Sequence, residues 1–71
     1  MVTIRVVTAA GTNASRIGDG YGGYDGVTWR NSVDRCDSDG HGRVFLDCDD
    51  EGTAEFVREQ LEQDDDVISY D

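Results

Sequence analysis

Val2-Thr3-Ile4-Arg5-Val6-Val7-Thr8 sets Val2, Ile4 and Val6 against Thr3, Arg5 and Val7. A period of two in a β-branched run predicts a strand with the first set turned inward. Val27 to Cys36 repeats the alternation less strictly: Val27, Trp29 and Val33 share a face, with Asn31 the odd member. Arg43 to Cys48 predicts a third strand, with Val44, Leu46 and Cys48 inward and Phe45 outward. Between these two runs, Asp37-Ser38-Asp39-Gly40-His41-Gly42 is dense in turn formers. The two strands therefore form an antiparallel hairpin. Its turn centres near Gly40, which sets Cys36 opposite Arg43 or Val44.

After Cys48 the period changes. Ala54, Val57 and Leu61 recur at i, i+3 and i+7, with Phe56 widening the stripe, which predicts an amphipathic helix from about residue 51 to 63. Asp49-Asp50-Glu51 opens it: one Asp caps, and the acidic first turn suits the positive end of the helix dipole. Asp64-Asp65-Asp66 opposes the negative end and stops it. Val67 to Tyr70 is a short last strand. The stretch from Ala10 to Gly26 holds six Gly in seventeen residues. It reads as a long loop with at most a helical turn around Asn13 to Ile17, pinned by Tyr21 and Tyr24.

The order β-loop-β-β-α-β over residues 1–71 predicts one α+β domain, a small antiparallel sheet with one helix on one face. A right-handed crossover from Arg43 to Tyr70 sets the last strand parallel to the third. This order resembles the split βαβ arrangement of ferredoxin-like domains, with the Gly-rich loop in place of the first helix. The resemblance implies a reduced ferredoxin-like fold.

Charge alters the picture more than size does. Sixteen acidic residues face six basic ones, for a net charge of −10; every basic residue is Arg, and Lys and Pro are absent. Such a surface repels itself in dilute buffer, and salt weakens the repulsion, the Debye length falling to about 3 Å at 1 M. The composition resembles that of proteins from extremely halophilic archaea, which implies a cytoplasm holding molar potassium. The apolar residues of Met1 to Ala10 alternate with polar ones, unlike a signal peptide, and the chain is read as cytoplasmic. Scattered Arg among many carboxylates leads us to expect neither nucleic acid nor membrane as partner.

Cys36, His41 and Cys48, spaced C-x4-H-x6-C, are the candidate metal ligands, with Asp37 or Asp39 as a fourth. The hairpin register keeps the two Cys apart. Cys48 then reads as a small core residue and Cys36 as a free thiol near the turn, and metal binding is the alternative function. Asp37 to Gly42 partly mimics a calcium loop, but His41 and Cys48 occupy ligand positions where oxygen is required. Gly18 to Gly26 lacks the Lys and the following helix of a phosphate-cradling loop. No cofactor and no nucleophile–base pair is expected. The resulting expectation is a non-enzymatic protein-interaction or regulatory module that binds a protein partner or forms a homo-oligomer. Tyr21, Tyr24, Trp29 and Phe45 are placed at or near its contact surface, Phe45 foremost because alternation turns it away from Val44 and Leu46.

Overall fold

The computed structural model describes residues 1–36 and 40–71, apart from the side chains of 31 and 34–36. The described elements are β1 (Val2–Thr8), α1 (Ala14–Tyr21), β2 (Val27–Cys36), β3 (His41–Cys48), α2 (Glu51–Glu62) and β4 (Val67–Tyr70). The strands form one sheet in the order β2-β3-β1-β4, and every neighbouring pair is antiparallel. β3 and β4, each antiparallel to β1, are thus parallel with β1 between them, joined by a crossover through α2. The chain is a small α+β fold in the order of the split βαβ motif.

Cross-strand pairing sets the core. β1 runs against β3 with Ile4 opposite Leu46 and Val6 opposite Val44, and all four are buried. Apolar residues facing each other at this spacing are what hold a sheet in register. α2 adds Ala54, Val57 and Leu61 to the same cluster, and α1 adds Ala14, Ile17 and Tyr21. Asp50 caps α2, its carboxylate accepting from the Thr53 amide at 2.8 Å. The helix ends at Glu62 with Gln63 as its C-terminal cap, close to the expected boundary.

The stretch expected as a loop contains α1, so the sheet carries two helices and not one. Ala14, Ile17, Gly18 and Tyr21 are its buried residues, an i, i+3, i+4, i+7 stripe in which a Gly takes one of the inward places. Each interior Gly disfavours a helix by about 1 kcal/mol relative to Ala, and packing offsets it. A Cβ at Gly18 would lie 2.6 Å from Trp29 Cδ2, and one at Gly22 would lie 2.7 Å from Trp29 Cδ1. The bare backbone therefore lets the helix lie directly on the indole.

β2 departs from expectation as well. Its register runs from Arg30 opposite Phe45 to Val33 opposite Arg43, three residues against two. An extra residue of this kind bends the strand and exchanges its faces. Val33 accordingly sits on the face of Arg43, 49% exposed, and does not share a face with Val27 and Trp29. A second irregularity sets Cys36 opposite His41, not opposite Arg43 or Val44. Residues 37–39, and with them the calcium-loop reading and the Asp37 or Asp39 ligand, lie outside the described residues.

Candidate functional site

With both helices on one side, the other face of the sheet has no covering layer among the described residues. It presents Thr3, Arg5 and Val7 from β1, Thr28, Arg30 and Val33 from β2, Arg43, Phe45 and Asp47 from β3, and Ser69 beside Asp71 at the end of β4. Arg30 lies over the Phe45 ring with its guanidinium carbon 5.1 Å from the centroid. Its Nε donates to Asp47 Oδ2 at 2.7 Å, while Thr3 Oγ1 donates to Asp47 Oδ1 at 2.7 Å. Asp47 is nearly buried and fully engaged. The hydrogen bond from Arg30, then that from Thr3, holds its carboxyl below the usual carboxylate range.

At the other end of the face, Arg5 grips Asp71 with two bonds, Nη2 to Oδ2 at 2.6 Å and Nε to Oδ1 at 3.3 Å. The pairing lowers the Asp71 pKa through that hydrogen bond first. Arg5, Val7, Arg43, Phe45, Ser69 and Asp71 are among the residues around a depression of about 430 Å³ in this face. A planar cation on an aromatic ring, held by a carboxylate, is a rigid surface feature.

The charge is divided between the two layers. The open face holds three Arg (Arg5, Arg30, Arg43) and two Asp (Asp47, Asp71), with no Glu among its described residues. The helices and the loops joining them to the sheet carry Asp19, Asp25, the run from Asp49 to Glu51, Glu55, Glu59, Glu62 and the run from Asp64 to Asp66, against Arg16 and Arg58 alone. Sequence order hides this division, because the three Arg of the face come from three different strands.

Of the four aromatics expected at a contact surface, the structure turns two inward. Trp29 packs against the core under α1. Tyr21 is buried, and its hydroxyl donates to Asp64 Oδ2 at 2.9 Å. Burial, then the Asp64 carboxylate, raises the Tyr21 pKa. Phe45 stands on the open face as alternation implied. Tyr24 and Phe56 are exposed on the helical side with ring centroids 5.6 Å apart. With Asp25, Asp50, Gly52 and Thr53 they line a wide, shallow depression.

The candidate metal ligands His41 and Cys48 are not brought together, and the side chain of Cys36, whose backbone pairs with His41, lies outside the described ones. His41 and Cys48 stand at opposite ends of β3, which at roughly 3.3 Å per residue separates them by about 23 Å. Cys48 is buried and free, and burial raises its thiol pKa. His41 Nδ1 lies 2.9 Å from the Thr8 carbonyl oxygen, so it donates there and joins the hairpin to β1. Thr8 completes the joint, accepting from the Gly42 amide at 2.9 Å and donating to the Thr12 carbonyl at 3.0 Å. Among the described residues no group of three or more His, Cys, Asp or Glu side chains is placed to hold a metal ion, and no described helix is long and apolar enough to cross a membrane. No protein-family model, curated protein or solved structure matches the chain.

Proposed function

We propose that this chain is a small non-enzymatic protein-interaction or regulatory module of a halophilic archaeal cytoplasm, with the open sheet face as its contact surface. One observation carries the reading: a sheet face with Arg30 stacked on Phe45 has no layer over it among the described residues. Antiparallel sheets do leave one face to solvent, but that face is then usually polar. Here it bears Phe45, Val7 and Val33 among Arg side chains, and Phe and Arg are enriched where proteins meet. The non-enzymatic part of the reading is supported by what the reactive side chains do. His41 and Cys48 serve as a joint and as core filling, and the buried carboxylate Asp47 is fully bonded.

Capture from a native lysate at about 2 M KCl, in the screened regime, tests this with wild-type bait and a Phe45→Glu bait of unchanged circular dichroism. The expected result is a protein, either another chain or this one, held by the wild type and released by the variant. Retention of nothing by the wild type overturns the reading. Equal retention by both baits moves the contact off the sheet.

A further inference from the structure

Granting that the open face is a contact surface, we infer that its occupant is the same face of a second copy of this chain, related by a two-fold axis. In a two-fold interface each patch meets itself, so a charged patch must carry both signs to avoid repelling itself. This one does: Arg5, Arg30 and Arg43 alternate with Asp47 and Asp71 across neighbouring strands. The helical layer, with its many carboxylates against Arg16 and Arg58, could not meet itself without strong repulsion. Face-to-face closure leaves those acidic layers pointing outward on opposite sides, where molar salt screens them.

Charge also disfavours the other occupants. A basic partner is drawn to the acidic helical layer and not to three Arg. An acidic segment finds Arg5 and Arg30 already bound to Asp71 and Asp47 and meets the repulsion of a chain at −10. What suits the face is a near-neutral surface of apolar groups with both charges interspersed, and that describes the face itself. Its size is adequate. A two-layer molecule with principal extents of 35 × 22 × 18 Å offers an outline of the order of the roughly 800 Å² per partner that a standard interface buries. Closure would place Phe45, Val7 and Val33 in a second apolar layer, adding to the thin core of a chain this short.

Sedimentation equilibrium of the purified protein at about 2 M KCl tests the inference, with Phe45→Glu, Val33→Glu and Phe56→Glu variants beside the wild type. Val33 is exposed on a bulge, so its variant keeps the fold even if Phe45→Glu does not. The expected mass is twice the 7.8 kDa of the chain for wild type and Phe56→Glu. Both open-face variants should dimerise at least tenfold more weakly, as loss of a central contact does. A monomeric wild type overturns the inference, as does a dimer that Phe56→Glu alone disrupts. If the wild type is monomeric yet captures another protein through Phe45, only the self-association fails; if it is monomeric and captures nothing, the contact-surface reading fails with it.

Discussion

Gly18 and Gly20 sit two residues apart in α1, and a helix scale treats them alike. The indole of Trp29 separates them. A Cβ at Gly18 meets the ring at 2.6 Å, whereas one at Gly20 meets nothing within 4 Å. Gly18→Ala is therefore expected to destabilise the protein by about 1–3 kcal/mol, the usual cost of overpacking. Gly20→Ala should stabilise it by up to about 1 kcal/mol through helix propensity. Urea midpoints of the two variants check the opposite signs; two shifts of the same sign would mean that α1 does not lie on Trp29. Asp47 supplies a pH test at the same scale. Its folded pKa lies below the unfolded value because Arg30 and Thr3 bond the charged form. The stabilisation is thus present above the unfolded pKa, about 3.9, and is lost as pH falls through the lower folded value. Removing the titrating group with Asp47→Asn should flatten the fall in urea midpoint between about pH 5 and 2. An unchanged acid slope would separate Asp47 from the acid transition.

At the scale of elements, β1, β3 and α2 are legible in the sequence because each repeats one period without interruption. The Val2–Thr8 alternation and the Ala54, Val57, Leu61 stripe each admit a single geometry. α1 is illegible because its stripe includes Gly18, which local reading counts as a helix breaker, and the compensating ring comes from another element. The face exchange at Val33 is illegible for a similar reason: the bulge exists only as a mismatch of β2 against β3, and neither strand carries it alone. The candidate site is half legible on the same grounds. Outward Phe45 follows from alternation, whereas Arg30 above it depends on the register. How α1 is tied down yields a prediction. The Tyr21 hydroxyl joins the end of α1 to Asp64, which also receives the Asp66 amide at 2.9 Å in the turn before β4. Tyr21→Phe keeps the buried ring and deletes this tie, so stability should fall by roughly 1 kcal/mol. Amide exchange should quicken in α1 and in the 63–66 turn together. Faster exchange in α1 alone would show that the tie does not couple the two elements.

For the whole molecule the governing quantity is the charge on the helical layer. The ion pairs include Arg5–Asp71, Arg16–Asp66, Arg30–Asp47 and Arg58–Glu51. Most of the side chains in them are well exposed, and such pairs contribute about 0–1 kcal/mol each. Two Arg side chains, Arg16 and Arg58, stand against eleven carboxylates on the helices and their flanking loops. Folding gathers these charges, so part of the stability at low ionic strength is spent on repulsion that salt removes. The urea midpoint should therefore rise as KCl is added. Two regimes are distinguishable. Screening is largely complete once the Debye length falls to a few Å, near 1 M, so a rise confined to lower concentrations reports repulsion alone. A rise that continues beyond about 1 M reports strengthened apolar burial, to which closure of the open face would contribute. In the second regime Val33→Glu should lose the upper part of the rise and keep the lower part, because it alters the open face while the acidic layer stays as it was. A midpoint independent of KCl, with cooperative unfolding at millimolar ionic strength, would remove the physical basis for assigning this chain to molar salt.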